Sequence, residues 1–264
     1  MKMKRKHKKI KRKKIKANSG KKRKTTAKNP EERITTGIPN FDRLIGGGFD
    51  KNSINVIVGG AGSGKSIFAT QFLVQGIKNG EKTLYVTFEE KKEHFYQNMS
   101  DFGWNLKEYE DKGAFTFLEY TPEKVRLMLE EGGGSIESII KKKKISRLVI
   151  DSITSFTLLF EEELTKREAA LSLFNMISKW NCTTLITLEG EHIREESIET
   201  KAVEFESDCI ILIYFVRGRT ERERYIEILK MRGTDHSKKI YKITIGRNGF
   251  SVATSPSSLT LEKI

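Results

Sequence analysis

Two kinds of hydrophobic pattern alternate along the chain. Short continuous runs of apolar and β-branched residues predict buried strands, and longer stretches with apolar residues every three or four positions predict amphipathic helices. The predicted strands cover residues 53–58, 82–88, 115–119, 148–151 and 182–188. Helices are predicted at 67–77, 91–102, 122–144 with an interruption at Gly132 to Gly134, and 164–180. This alternation is typical of an α/β fold, with a mainly parallel sheet flanked by helices.

After residue 208 the pattern changes to strands alone. Residues 209–215 and 224–231 predict a hairpin around Arg217, Gly218 and Arg219, and residues 239–245 predict a further strand. The polar stretch 189–207 has no period and predicts a loop. We therefore expect an antiparallel extension of the sheet, within one domain spanning residues 31–253. Residues 254–264, and in general the chain beyond Phe250, are expected to be a loose end.

Charge separates the N-terminal segment from the rest of the chain. The net charge of the whole chain is +14, and residues 1–28 carry 16 Lys and Arg with no Asp or Glu. The rest of the chain therefore has 49 − 16 = 33 basic and 35 acidic residues, a net charge of −2. A segment this polar cannot bury enough apolar surface to fold. Residues 1–30 are therefore expected to be a disordered basic tail. The tail is interpreted either as an arm that binds nucleic acid, or another polyanion, without regard to sequence, or as a solubilising segment.

Other features of the composition restrict the class of protein. No apolar run approaches the ~18 residues of a membrane span, so no membrane association is expected. Cys182 and Cys209 form no C-x-x-C pair and lie in apolar surroundings, which predicts buried, reduced thiols and a cytoplasmic protein. The four lysines from Lys141 to Lys144 are interpreted as a solvated helix end.

The most specific motif lies between the first predicted strand and the first predicted helix. It fits the phosphate-binding pattern G-x-x-x-x-G-K-[ST] and consists of Gly59, Gly60, Ala61, Gly62, Ser63, Gly64, Lys65 and Ser66, followed by Ile67. Glycines let successive N–H groups converge on an anion. Lys65 is expected to contact the β- and γ-phosphates of ATP, and the Ser66 hydroxyl to hold Mg²⁺.

Acidic residues follow two of the predicted strands. Glu89 and Glu90 end the second strand, and Asp151 ends the strand at 148–151. Because ligands of open α/β sheets bind at the carboxyl ends of the strands, we expect Asp151 to hold Mg²⁺ through water and one glutamate to act as the general base for water. The two glutamates are also compatible with the acidic first turn of a helix. The sequence does not decide which of the two glutamates is the general base, and we take Glu89 as the first candidate.

Residues 33–250 resemble the KaiC-type ATPases of the RecA superfamily, in their archaeal single-domain form. The resemblance rests on the entry segment T-G-I-P-N-F-D-R-L-I-G-G-G-F, the phosphate loop, the tandem Glu89-Glu90, and L-K-M-R-G-T with His236. It implies a RecA-like P-loop core and a homo-oligomeric ring, usually a hexamer, with ATP at the subunit interface. By the same resemblance, Lys230 and Arg232 reach the γ-phosphate of a neighbouring subunit. A solvent-facing basic hairpin end is the alternative for this pair.

Three functions remain open at this point. The first is a Mg²⁺-dependent ATP-hydrolysing ring with a regulatory or DNA-associated role. The second is a module that binds ATP to change state and hydrolyses it little. The third is a recombinase-like filament on DNA, which ranks last because the 189–207 loop holds seven Glu against Arg194 and Lys201 and would repel phosphates.

Overall fold

A computed structural model describes residues 33–190, 206–218 and 220–258. The predicted basic tail, most of the predicted acidic loop (residues 191–205), Arg219 in the hairpin turn and residues 259–264 lie outside the described residues.

A nine-stranded sheet forms the centre of the fold, with a separate two-stranded sheet at the entry of the domain. The small antiparallel sheet is β1 (Arg33–Ile34) with β2 (Phe49–Asp50). The large sheet contains β3 (Ile54–Gly59), β4 (Lys82–Thr87), β5 (Phe115–Glu119), β6 (Ile145–Asp151), β7 (Thr183–Glu189), β8 (Cys209–Arg217), β9 (Arg222–Met231), β10 (Tyr241–Gly246) and β11 (Gly249–Val252). Its order is β11-β10-β9-β8-β3-β7-β6-β4-β5.

The direction of pairing divides this sheet into two parts. Strands β8, β3, β7, β6, β4 and β5 are parallel, and β9, β10 and β11 add antiparallel strands at the β8 edge. The predicted fold class, a mainly parallel RecA-like sheet with an antiparallel extension, is therefore confirmed.

Helices cover both faces of the sheet. They are α1 (Lys65–Lys78), α2 (Lys92–Ser100), α3 (Leu106–Asp111), α4 (Pro122–Glu130), α5 (Gly134–Lys143), α6 (Ile153–Thr157) and α7 (Glu163–Lys179). In β3, Ile57 faces the core that α1 and α2 complete, while Val56 and Val58 face the core that α5 and α7 complete. Burial on both faces explains why this strand is a continuous apolar run. Of the helices in the described part of the chain, none is long and apolar enough to cross a membrane.

The structure differs from the sequence-based prediction in several places. The helices α3 and α6 and the strands β1, β2 and β11 were not predicted, because they are short or lack a clear period. Phe250 lies inside β11, and Ser251 and Val252 continue the pairing with β10, so the chain is not loose directly after Phe250. The interruption at Gly132 to Gly134 is confirmed, since α4 ends at Glu130 and α5 begins at Gly134. Both cysteines are buried and unbridged, as predicted.

One buried ion pair ties the entry segment to the sheet. Arg147 in β6 is 1% exposed, and its guanidinium donates to both carboxylate oxygens of Glu81, at 2.9 and 2.6 Å. It also donates to the carbonyl oxygens of Thr35 and Phe72, at 2.8 and 2.9 Å. Burial on its own raises the pKa of Glu81, but the hydrogen bonds and charge of Arg147 outweigh it, so this pKa lies below its usual value.

We predict that Glu81→Gln destabilises the protein by about 2 kcal/mol, because it leaves a buried guanidinium without its counter-charge. This loss is smaller than that expected for a fully enclosed ion pair, since the Glu81 side chain is 23% exposed. The depressed pKa means that the ion pair stabilises the fold above the unfolded-state value of about 4.3, and that this contribution is lost as pH falls through the folded-state value. Urea unfolding at several pH values measures both effects.

The control is Asp111→Asn, which breaks the exposed pair of Asp111 with Lys107. It is expected to leave the unfolding midpoint unchanged, because exposed pairs contribute little. Equal midpoints for the two variants would contradict the structural role of Arg147 and Glu81.

Candidate functional site

The predicted phosphate loop joins the carboxyl end of β3 to the start of α1, in the middle of the parallel sheet. Gly59 begins the loop, and a Cβ there would lie 2.7 Å from the Ser63 hydroxyl oxygen and 2.8 Å from the Ile213 carbonyl oxygen. Gly64 precedes α1 with φ +106°, a value that favours glycine. These positions therefore require glycine, one for close approach and the other for its backbone conformation.

The start of α1 offers donors for an anion. The first helical hydrogen bond of this turn joins the Phe68 N–H to the Gly64 carbonyl, and the N–H groups of a first helical turn have no partner within the helix. The helix dipole adds positive potential at the same point. The Ser63 hydroxyl is buried, and it has no hydrogen-bond partner among the described residues. A phosphate group fits this chemistry.

Lys65 folds back over the loop. Its ammonium donates to the carbonyl oxygens of Gly59 and Gly60, at 2.7 and 3.0 Å. Burial lowers the pKa of Lys65, and the negative charges of Glu189, Asp151 and Glu89 oppose that shift. The Lys65 ammonium is therefore partly desolvated and rests on the loop carbonyls, with the negative charge of three carboxylates acting on it.

Asp151 lies at the carboxyl end of β6 and accepts hydrogen bonds on both carboxylate oxygens. Tyr85 in β4 donates to one oxygen, and Thr187 in β7 donates to the other. Burial, and secondarily the charge of Asp151, raises the pKa of Tyr85 well above its usual value, so the phenol remains a donor. Of the two residues predicted to hold Mg²⁺, Asp151 is thus held by two donors, while Ser66 lies in the first turn of α1.

The tandem glutamates take different positions after β4. Glu89 is exposed, and its carboxylate accepts a hydrogen bond from the Ser152 hydroxyl at 3.0 Å. Glu90 is half-buried and accepts from the Asn98 side chain at 2.9 Å. Burial, together with the charges of Asp151 and Glu89, raises the pKa of Glu90, against the opposing effects of Asn98 and His94. Of the two glutamates, Glu89 is the one whose charge acts on Lys65.

Lys230 and Arg232 lie at the opposite end of the sheet from the phosphate loop. The Lys230 ammonium donates to the Ser207 carbonyl at 2.8 Å, and the Arg232 guanidinium lies 3.6 Å from the Asp208 carboxylate. Asp208 accepts from the backbone N–H of Ile54, where β3 begins. Since Gly59 is five residues farther along β3, the separation along the sheet is about 16 Å. Within one chain these cations are not brought to the loop.

Some residues at the site carried no recognisable signal in the sequence. Tyr85 and Thr187 lie inside buried strands, where they are indistinguishable from core residues. Arg224 in β9 donates to the Gly62 carbonyl, and Phe215 in β8 lies beneath it, but their proximity to the loop follows from strand order rather than from spacing. Ser152, the residue after Asp151, lies beside Glu89 and donates to its carboxylate.

Comparison with protein families identifies a match over most of the chain. The family model described as "ATPase: KaiC" matches residues 34–257. The circadian clock protein KaiC3 of Synechocystis is 33% identical over 239 residues, which is 88% of this chain and 47% of that protein. The chain therefore spans about half the length of this relative.

Single-domain relatives match over nearly their whole length. A UPF0273 protein of Pyrococcus horikoshii is 31% identical over 83% of this chain and 93% of its own. The crystal structure of a KaiC-like protein from Pyrococcus horikoshii superposes with a TM-score of 0.75 and 36% identity, covering 84% of this chain and 98% of that one.

We predict that Gly59→Ala destabilises the protein by about 1–3 kcal/mol, the usual scale of overpacking. The new methyl group would lie 2.8 Å from the backbone oxygen of Ile213, which belongs to the strand paired with β3. Urea unfolding checks this. Gly190→Ala is the matched control at the end of the adjacent strand β7, since its new Cβ would lie 3.6 Å from Val58, an ordinary contact. Similar unfolding curves for the two variants would contradict the close approach at Gly59.

Proposed function

The chain belongs to the KaiC family of ATPases, and from that membership we propose that it binds ATP with Mg²⁺ at the phosphate loop and hydrolyses it. One observation carries the proposal: the Lys65 ammonium lies on the loop carbonyls of Gly59 and Gly60, and Asp151 and Glu89 come at or just after the ends of β6 and β4, at the same edge of the parallel sheet. Phosphoryl transfer needs a cation at the β- and γ-phosphates, a metal ligand and a group that orients water. The three residue types expected for these roles occur together here.

Ser66 and Asp151 are the residues proposed to hold Mg²⁺. Ser66 lies in the first turn of α1, which follows β3, and Asp151 ends β6, so both residues lie at the edge of the sheet where the parallel strands end. Hydroxyl and carboxylate oxygens are ligands that Mg²⁺ prefers. The ion that these two residues would hold would supply positive charge to neutralise the negative charge that develops on the phosphates. Tyr85 and Thr187 keep the Asp151 carboxylate in one orientation.

Glu89 is proposed to orient the attacking water and to accept its proton. Support comes from its exposure, which lets water reach the carboxylate, and from its electrostatic coupling to Lys65. The Ser152 hydroxyl fixes one of its oxygens and leaves the other oxygen as an acceptor. Glu90 is proposed to stay with Asn98 on α2 and to support the turn.

We propose further that copies of the chain assemble into a ring, with six as the expected number, in which Lys230 and Arg232 act on the nucleotide of a neighbour. The separation of these cations from their own loop supports a role in trans, since a guanidinium must approach the γ-phosphate directly to stabilise its charge. The name of the KaiC3 relative refers to a circadian clock. This chain spans half of that protein, so timekeeping is not part of the proposal.

We predict that Lys65→Ala and Glu89→Gln fail at different steps. Lys65→Ala removes the ammonium that faces the phosphates and should abolish ATP binding without unfolding the protein. Glu89→Gln should bind ATP like the wild type but hydrolyse it roughly a hundredfold more slowly, the scale of losing a general base. Equilibrium binding of a fluorescent ATP analogue and steady-state phosphate release measure the two steps.

Glu90→Gln is the control beside Glu89→Gln, and it should retain most of the hydrolysis rate. A reversed result would assign the base to Glu90. Wild-type rates in both variants would favour the alternative function, a module that binds nucleotide without dedicated hydrolysis. Unchanged turnover in Lys65→Ala would exclude an ATPase at this loop.

The N-terminal segment is proposed to bind nucleic acid through its charge. We predict that removing residues 1–28 leaves ATP hydrolysis and assembly size nearly unchanged but eliminates most affinity for DNA and RNA. The rest of the chain has a net charge of −2 by the count above and offers no comparable attraction. A salt titration is the measurement, since log K for duplex DNA falls by about 0.9 per phosphate contact per decade of salt.

Two results would change this assignment. If the full-length protein binds neither DNA nor RNA at low salt, the segment is a solubiliser or docks on a protein. If the truncated protein binds as tightly as the full-length one, the nucleic-acid site lies on the folded part, and the recombinase-like alternative regains weight.

A further inference from the structure

A side chain outside the loop holds one of the loop's carbonyl groups. The Arg224 guanidinium, on β9, donates to the Gly62 carbonyl oxygen through Nε at 3.2 Å and through Nη2 at 2.9 Å. Gly62 has φ +72°, so this segment of the loop is in a left-handed conformation. Neither the phosphate-loop pattern nor the proposed catalytic roles account for this contact.

Phe215 holds the guanidinium in place from below. Phe215 and Arg224 are direct cross-strand partners in the pairing of β8 with β9. The guanidinium carbon lies 4.1 Å from the centroid of the ring, which is a cation–π contact. The same ring lies 3.6 Å from the position that a Cβ on Gly62 would occupy, so the loop and the arginine pack against one aromatic surface. Arg224 is therefore positioned by the sheet before it contacts the loop.

The contact restricts the orientation of a whole peptide group. The Gly62 carbonyl and the Ser63 N–H belong to one planar peptide unit. Arg224 binds the carbonyl end of this unit, and the Gly60 carbonyl accepts from its N–H end at 3.2 Å. With both ends bonded, the unit cannot rotate freely. The loop then loses less conformational freedom when a phosphate group binds to the N–H groups that follow.

We propose that Arg224 is a positioning residue that pre-organises the phosphate loop for the phosphate chain of its nucleotide. The proposal rests on the proposed function, because it assumes that the loop binds a nucleotide. It differs from a direct contact with the base or sugar, since Arg224 acts through the backbone of Gly62. Its effect should be on binding, and it should be the same for any ligand that carries the same phosphate chain.

Arg222 provides a matched control on the same strand. Its guanidinium also lies over the Phe215 ring, at 5.3 Å, and its Nη1 donates to the Phe215 carbonyl at 3.4 Å. The two arginines carry the same charge two residues apart, but the Gly62 contact belongs to Arg224. Comparison of Arg224→Gln with Arg222→Gln therefore removes the general effect of losing one positive charge near phosphates.

The experiment measures displacement of a fluorescent ADP analogue by ATP and by tripolyphosphate, which is the phosphate chain without base or sugar. Compared with Arg222→Gln, Arg224→Gln is expected to weaken both ligands by the same factor of about ten, the scale of losing one charge-assisted hydrogen bond. KM for ATP should rise by a similar factor while kcat stays within about twofold, because pre-organisation contributes equally to ground-state and transition-state binding. Arg224→Lys, which retains a donor, is a second variant expected to fall between Arg224→Gln and the wild type.

Several results would overturn the proposal. One is that Arg224→Gln and Arg224→Lys both bind tripolyphosphate as tightly as Arg222→Gln does. Another is that Arg224→Gln weakens the binding of ATP but not of tripolyphosphate, which would indicate a direct contact with the base or sugar. A fall in kcat without a change in KM would also contradict it. If the wild-type protein shows no displacement by ATP, the proposed function itself fails, and that outcome is distinct from all of these.

Discussion

The site depends on one constraint, a positively charged ammonium, that of Lys65, which is partly removed from solvent. Burial alone makes the Lys65 ammonium unfavourable, and the carboxylates of Asp151, Glu89 and Glu189 offset that effect. These acids follow or end β6, β4 and β7, which run parallel to β3. Parallel order brings the carboxyl ends of the strands to one edge, so distant segments of sequence supply the counter-charges. The parallel topology and the electrostatics of the site are therefore inseparable.

The antiparallel strands connect this site to a second surface. β9 carries Arg224 near its start, on the phosphate loop of its own chain, and Lys230 near its end, at the opposite side of the sheet. Pairing with β8 along nearly its whole length makes β9 a stiff connection between the two places. In a ring where Lys230 and Arg232 act on a neighbour, the same strand would contact two nucleotide sites.

Sequence alone can propose those parts of the candidate site whose chemistry is local. The glycines and Lys65 of the loop are adjacent in the chain, and Asp151 ends an apolar run, so pattern alone singles them out as candidates. Tyr85, Thr187 and Arg224 could not be predicted, because their roles depend on which strands become neighbours. A different limit applies to the elements: the main strands and the antiparallel extension were predicted, while the short helix α6 was not. Periodicity needs length, and a five-residue helix is too short to show it.

The tandem glutamates show how adjacent identical residues acquire different chemistry. The hydrogen-bonded strand β4 ends at Thr87, and the Thr87 hydroxyl accepts from the backbone N–H groups of both Glu89 and Glu90. The chain turns at this point, so the two carboxylates need not alternate across the sheet as they would within a strand. One carboxylate faces Ser152 and the field of Lys65, and the other lies half-buried against α2. Burial and two neighbouring negative charges raise the pKa of Glu90 and make its ionised form less favourable. The turn, rather than the residue type, therefore gives one carboxylate an exposed position beside Ser152 and the other a half-buried position against α2.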